Sequence, residues 1–120
     1  MKASIYLMDA STKYNALSVF CGSSSGNGSI YSALAYDLGQ YLARNKVTLV
    51  FGGSNVGLMG ILSDSVIKAG GDAVGVYPSN TFSMDVSHQG LSKLHVVDSM
   101  HERKALMYEL SDGVIALPGG

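Results

Sequence analysis

The stretch LVFGGSNVGLMG, residues 49–60, decides the fold of this chain. It continues an apolar run, residues 47–51, which predicts a buried strand. Gly52 and Gly53 follow, and after a short polar turn Gly57 opens an apolar pattern of helical period. A strand that passes through a glycine turn into a helix presents bare N–H groups and the positive helix end at one point, which favours a bound phosphate. Equally consistent with this stretch alone is a tight turn whose glycines have no ligand.

The composition of the 120 residues indicates one domain, which we place at residues 16–120 after a weakly patterned extension, residues 1–15. A net charge of −1 without a basic cluster argues against a nucleic-acid partner. The apolar runs fall short of the roughly 20 residues of a membrane span, so we expect no membrane partner. A single cysteine and no recognisable secretion signal favour a cytoplasmic location. The histidines and the cysteine show no zinc spacing, so we expect no metal.

Short apolar runs alternate with helical patterns along the rest of the chain. Strands are predicted at residues 16–21, 47–51, 73–77, 94–97 and 113–117, and helices at 29–44, 57–69 and from Ser99 to about 110. This alternation predicts an α/β fold, with a parallel sheet and helices on both faces. We expect Gly39 to pack closely against a strand and Asn45 to end the first helix in a left-handed conformation. Ser99 and Glu102 fit a capping box in which Glu102 reaches back to the N–H of Ser99.

In such a sheet, ligands bind at the carboxyl ends of the strands. Each glycine or serine turn of this chain follows a strand, so we expect the turns to converge on that edge. They are GSSSG at residues 22–26, GGSNVG at 52–57, the helix start at Ser99, and PGG at 118–120. Met59 and Met100 fall near the same edge. The segment 79–93 is long enough to be functional, and Asp85 within it could contact a ligand.

Arg103 and Lys104 are the charged residues that best suit chemistry at this edge. Both fall in the first turns of the helix that begins at Ser99, where a cation opposes the helix dipole. A bound anion would remove that conflict, and an arginine can donate two hydrogen bonds to a phosphate. The alternative is that both side chains are solvated at the surface, as most arginines and lysines are.

Five motifs of the chain together resemble the LOG family, also labelled "lysine decarboxylase-like". They are CGSSSGN at residues 21–27, GGSNVGLMG at 52–60, AGGDAVGVYP at 69–78, HQGLSKLHVVDSMHERKALM at 88–107 and DGVIALPGG at 112–120. The resemblance implies a Rossmann-like, nucleotide-monophosphate-binding domain. It also implies a phosphoribohydrolase that cuts the N-glycosidic bond of a nucleoside 5′-monophosphate, such as a cytokinin riboside monophosphate or AMP. We therefore expect no cofactor, and a homodimer or higher self-association.

The resemblance also assigns roles to residues. Arg103 matches the arginine of the MHERK motif and is the expected catalytic residue, with Lys104 beside it. Gly119 and Gly120 match the start of PGGxGTxxE, whose backbone holds the phosphate, and Asp85 falls where the family usually has a glutamate. The predicted substrate and phosphate contacts are Gly22, Ser23, Ser24, Gly52, Gly53, Gly57, Met59, Asp85, Met100, Lys104, Gly119 and Gly120.

The chain departs from the family pattern after Gly120, before the glutamate of PGGxGTxxE. We therefore expect a C-terminally incomplete fold and little or no hydrolysis by this polypeptide alone, because that carboxylate stabilises the charge that develops on the ribose. Two other functions are considered. A non-catalytic module could hold a nucleotide or phosphate without cutting it. A dinucleotide-binding domain is disfavoured because GGSNVG lacks the G-x-G-x-x-G order.

Overall fold

The computed structural model describes residues 4–7, 14–21 and 29–117. Within these residues the strands are β1 (Ser4–Leu7), β2 (Ala16–Phe20), β3 (Thr48–Phe51), β4 (Ala73–Pro78), β5 (Lys93–Val97) and β6 (Gly113–Ala116). The helices are α1 (Ser29–Arg44), α2 (Gly57–Lys68) and α3 (Met100–Leu110), and a short 3-10 helix, Met84–Val86, lies between β4 and β5. The predicted helices and strands are therefore present, with their ends shifted by one or two residues at most.

The strands form one sheet in the order β1-β6-β2-β3-β4-β5. The last five of these are parallel to one another, which confirms the predicted Rossmann-like arrangement. The chain proceeds outward from β2 to β5 and then returns, so that β6 pairs with β2 on its other side. Because Phe20 is in register with Ala116, the carboxyl ends of β2 and β6 lie side by side. An order reversal of this kind marks the crevice where open α/β sheets bind ligands.

Helices cover both faces of the sheet, as predicted. Leu49 and Phe51 of β3 belong to the larger core cluster, which also contains residues of α1 and α2. Val50, between them, belongs to the smaller cluster with Met107 of α3. All of these side chains are at most 1% exposed. The alternation follows from the strand period of two, since successive side chains point to opposite faces.

Residues 4–7 add a strand that the sequence pattern does not predict. β1 pairs antiparallel with β6, with Ser4 opposite Ala116 and Leu7 opposite Gly113. A four-residue edge strand carries too little alternation to be recognised, because its conformation depends on the strand with which it pairs.

Three local predictions are wrong. Gly39 packs against helix α2 rather than a strand, because a Cβ at this position would lie 2.7 Å from the carbonyl oxygen of Leu62. The left-handed residue after α1 is Lys46, with φ of 57°, while the Asn45 side chain donates to the carbonyl of Tyr41 at 2.7 Å.

The third concerns the capping box. The Glu102 carboxylate accepts from the N–H of Asp98 at 3.2 Å, one residue before the predicted donor, Ser99. The other half of the box is as predicted, since the N–H of Glu102 donates to Ser99 Oγ at 3.1 Å. The first turn of α3 is thereby held by both side chains.

Candidate functional site

Helix α3 directs Arg103 toward the carboxyl ends of the strands. The Ser99 cap fixes where the helix begins, and the N–H of Arg103 donates to the carbonyl of Ser99 at 3.0 Å. Arg103 therefore lies one turn into the helix and on the side that faces the sheet. Its side chain is only 9% exposed, so the interpretation of Arg103 as a solvated surface residue is wrong.

The guanidinium of Arg103 joins the ends of two neighbouring strands. Nε donates to the carbonyl of Val76 in β4 at 2.9 Å, and Nη2 donates to the carbonyl of Gly52, just after β3, at 2.6 Å. Nη1 faces the sulfur of Met100 at 3.5 Å. An arginine has five N–H donors, so two backbone carbonyls and one weak sulfur acceptor leave donor capacity for a ligand.

The residues around this guanidinium leave its positive charge unbalanced. Among the described residues no carboxylate lies within ion-pair distance of Arg103. Burial lowers the pKa of Arg103, but an arginine remains protonated in proteins. Burial also raises the pKa of Cys21 to about 12 even though Arg103 lowers it, so the nearby thiol stays neutral. A buried cation without a counter-charge is costly unless an anion joins it.

The glycine turn leads into an open helix end. Val56 occupies the N-cap position of α2 in an extended conformation, and no side chain of the residues that the structure describes caps the helix there. Gly57 has a positive φ of 57°, and Gly60 packs so closely on Asn55 that a Cβ would lie 2.2 Å from its carbonyl oxygen. The first turn of α2 thus lacks a side-chain acceptor among the described residues, and helix starts of this kind are typical of phosphate sites.

The segment between β4 and β5 is fastened to this turn, which the sequence did not predict. The N–H of Asn55 donates to the carbonyl of Val86, and the N–H of His88 donates to the carbonyl of Gly53, both at 2.8 Å. His88 is buried, and its Nε2 lies 2.6 Å from Oδ1 of Asp64 on α2. No local sequence motif predicts this contact, because the two residues are 24 positions apart.

The structure brings four of the predicted site residues together. Arg103 contacts Gly52 and Met100, and the sulfur of Met59 lies 2.9 Å from where a Cβ of Gly52 would be. Gly53 adopts a positive φ of 82° and its carbonyl is used by His88, while Gly57 begins α2. Nearby, the ring centroid of Phe82 lies 6.0 Å from Cζ of Arg103.

The remaining predicted residues are either exposed or outside the described part of the chain. Lys104 is exposed, in agreement with the alternative of a solvated side chain, and Asp85 is exposed on the 3-10 helix. Within the described ranges neither makes a side-chain hydrogen bond or ion pair with Arg103. Gly22, Ser23, Ser24, Gly119 and Gly120 lie outside the described residues.

The described residues also bear on three other kinds of site: a second cavity, a metal site and a membrane-spanning helix. A hollow of about 240 Å³ lies near the amino ends of β3 and β4, at the opposite end of the strands, and contains none of the predicted residues. In residues 4–7, 14–21 and 29–117 no cluster of three His, Cys, Asp or Glu side chains could hold a metal ion. Of the helices described here, none combines the length and apolarity needed to cross a bilayer.

Comparison with known proteins adds independent information. Residues 59–120 match the protein family described as "possible lysine decarboxylase". The chain is 50% identical over 106 residues to a cytokinin riboside 5′-monophosphate phosphoribohydrolase of Rhodococcoides fascians, covering 88% of this chain and 54% of that protein. An enzyme of the same name from Arabidopsis thaliana is 39% identical over 113 residues, covering 94% of this chain and 53% of its own length. This chain therefore spans about half the length of these curated relatives.

Among solved structures, the molybdenum cofactor binding protein of Rippkaea orientalis superposes with a TM-score of 0.75 at 27% identity. The match covers 90% of this chain and 64% of that protein. It supports the Rossmann-like architecture and extends over nearly all of the chain.

Proposed function

This chain belongs to the LOG family, the family described as possible lysine decarboxylase, and on that premise we propose that its carboxyl-end site binds a nucleoside 5′-monophosphate. The proposed reaction is that named for its relatives, phosphoribohydrolysis. Water replaces the base at C1′ of the ribose, and the products are the free base and ribose 5-phosphate.

The unbalanced guanidinium of Arg103 is the observation that carries this proposal. It lies beside the glycine turn and the start of α2, and a 5′-phosphate would supply the negative charge that the described residues lack. Arginine suits this role because its planar donors match phosphate oxygens. We propose Gly52, Gly53, Gly57, Met59 and Met100 as the substrate-binding surroundings, with Arg103 as the catalytic residue that contacts the substrate. The proposed set is completed by Asp85, Lys104, Gly22, Ser23, Ser24, Gly119 and Gly120.

Cleavage of the N-glycosidic bond requires more than this cation. Positive charge develops on the ribose in the transition state, and a carboxylate normally stabilises it. In the part of the chain that the structure describes, no carboxylate lies within ion-pair distance of the Arg103 guanidinium. We propose that the described site binds and orients the substrate. This 120-residue polypeptide alone should bind nucleotide and hydrolyse it slowly.

A nucleotide-binding module without hydrolysis is the second candidate. It is favoured by the similarity to the molybdenum cofactor binding protein, whose name describes binding alone. It accounts for Arg103 equally well and differs only in the fate of the nucleotide.

We further propose self-association and a cytoplasmic location. Two large apolar side chains of α3 are well exposed, Met100 at 45% and Tyr108 at 42%, and a second copy of this chain would cover them. The single cysteine supports a reducing compartment.

Two measurements on the purified chain test the proposed function. Calorimetry should show that AMP binds more tightly than adenosine, since only AMP carries the phosphate. Chromatography should detect adenine release from AMP at a rate far below the kcat of about 1–10³ per second that is typical of enzymes. Equal affinity for AMP and adenosine would refute the phosphate site, whereas binding with no measurable adenine release would favour the non-catalytic module.

A further inference from the structure

The segment that leaves β4 contacts the glycine turn through an isolated β-bridge. Ser87 forms an antiparallel bridge with Ser54. The two backbone hydrogen bonds that flank this bridge join Asn55 to Val86 and His88 to Gly53. Residues 86–88 therefore lie directly against the turn between β3 and α2, where the proposed phosphate contacts begin. Any movement of this segment would move Gly53 as well.

His88 connects this segment to α2 through its side chain. The N–H of Gly90 donates to Nδ1 at 2.9 Å, so Nδ1 must carry a lone pair. Nε2 therefore carries the proton and donates to Oδ1 of Asp64 at 2.6 Å. The imidazole is only 9% exposed, whereas the Asp64 side chain is 70% exposed. His88 thus links three parts of the chain: its ring contacts Asp64 of α2 and the segment after β4, and its backbone N–H donates to the glycine turn.

The same segment reaches Arg103 at its other end. Phe82 stands over the guanidinium, and its ring also packs against Tyr77 of β4, with centroids 6.3 Å apart. Asp85 lies between Phe82 and His88 along the chain. The segment is therefore anchored on both sides of the residue that the sequence analysis placed near the ligand.

We propose that His88 is a positioning residue, which with Asp64 clamps residues 82–88 and the Gly53 turn in a fixed arrangement around Arg103. This inference rests on the proposed nucleotide site and assigns to two residues outside its predicted contacts the task of keeping the site preorganised. Asp64 acts on the ring and His88 acts on the backbone of the turn. Neither contacts the nucleotide. A preorganised site loses less conformational freedom when the ligand binds, which raises affinity.

The first test examines the imidazole in the ligand-free protein. Nitrogen-15 spectra of labelled protein at neutral pH should show His88 locked as the tautomer with the proton on Nε2. His101, which is exposed on α3, provides the internal comparison. A mixture of tautomers at His88, or the tautomer with the proton on Nδ1, would overturn the clamp.

The second test removes the carboxylate. Asp64→Ala should speed hydrogen exchange of the His88 and Gly90 amides by about tenfold, and weaken AMP binding by about threefold to tenfold. Asp37→Ala, which removes another exposed carboxylate from a helix surface, is the matched control and should change neither quantity. Wild-type exchange and wild-type affinity in Asp64→Ala would overturn the proposal.

The third test asks whether both residues act through one contact. His88→Asn keeps an acceptor near the Nδ1 position for Gly90 but cannot reach Asp64. The double variant His88→Asn/Asp64→Ala should therefore bind AMP no more weakly than His88→Asn alone. Additive losses would show independent roles and overturn the clamp. If AMP fails to bind the wild-type protein, the proposed function fails, while the tautomer and exchange measurements still decide the clamp.

Discussion

Nη2 of Arg103 donates to the carbonyl oxygen of Gly52 at 2.6 Å, and a side chain at position 52 would displace this guanidinium. A Cβ at position 52 would lie 2.5 Å from Nη2 and 2.9 Å from the sulfur of Met59. The absence of a side chain at Gly52 therefore lets the arginine pack directly on the backbone of this turn. The turn that sequence analysis connected with a phosphate is also the place where a buried cation meets the end of β3.

Gly52→Ala should displace the guanidinium. The atoms in its way are the far ends of the Arg103 and Met59 side chains, so we expect a loss of at most about 1 kcal/mol of stability and about tenfold weaker AMP binding. Gly70→Ala is the matched control, because its Cβ would meet open space but its φ of 83° remains strained. That variant should lose about 1 kcal/mol of stability and keep its affinity for AMP. Unchanged AMP affinity in Gly52→Ala would separate the turn from the site.

Arg103→Ala should weaken binding of AMP more than binding of adenosine. A hydrogen bond to a charged group contributes about 1.5–3 kcal/mol, so we expect a loss of about tenfold to a hundredfold for AMP in calorimetry. Arg103→Lys keeps the charge but not the planar donors that join Val76 and Gly52, and should recover only part of the affinity. Lys68→Ala, which removes an exposed cation from the last turn of α2, provides the control for loss of a charge. Equal losses for AMP and adenosine would show that Arg103 is not a phosphate contact.

Much of the fold follows from local patterns. Helix α1 begins and ends at its predicted residues, because periodic apolar positions and a change of composition at both ends are local signals. The parallel sheet follows from the alternation of strands and helices. β1 could not be predicted because its four residues depend on the partner strand β6.

The candidate site was predictable as a set of residue types but not as a set of contacts. Helix position and charge indicate that Arg103 is unusual, but nothing local shows that Val76 and Gly52 accept its hydrogen bonds. These partners are 27 and 51 positions away, so only the folded chain selects them. The contact between His88 and Asp64 was not predicted from the sequence for the same reason. A long-range side-chain contact depends on sheet order and helix placement, which sequence spacing does not encode.

Cys21 should react slowly with alkylating reagents. Its pKa is raised from 9.0 to about 12 by burial, so folding favours the protonated thiol. In mildly alkaline solution the thiolate fraction is then about a thousandfold lower than in the unfolded chain. A thiolate of higher pKa is also a stronger nucleophile, which offsets part of this difference. We therefore expect iodoacetamide to modify the folded protein at least about tenfold more slowly than the denatured protein. Equal rates would contradict a partly buried, neutral thiol beside Arg103.

The same shift predicts how stability depends on pH. A group whose pKa is higher in the folded protein stabilises it fully below the unfolded value, here 9.0, and this contribution disappears as the pH rises toward about 12. The free energy of unfolding should therefore fall with alkaline pH more steeply in the wild-type protein than in Cys21→Ala. Parallel pH profiles for the two proteins, measured by denaturant unfolding, would contradict this assignment.

Gly39→Ala sets helix propensity against packing. In the interior of α1, alanine is favoured over glycine by about 1 kcal/mol. The new Cβ would lie 2.7 Å from the carbonyl oxygen of Leu62 and from Ser65, and a backbone atom of α2 cannot move aside without separating the two helices. Overpacking of this kind costs about 1–3 kcal/mol, so we expect the variant to unfold at lower denaturant concentration than the wild-type protein.

Ala33→Gly, at an exposed position of the same helix, measures the propensity term by itself and should lose about 1 kcal/mol. If Gly39→Ala instead raises the free energy of unfolding, then α1 and α2 are not in the close contact that the carbonyl of Leu62 defines.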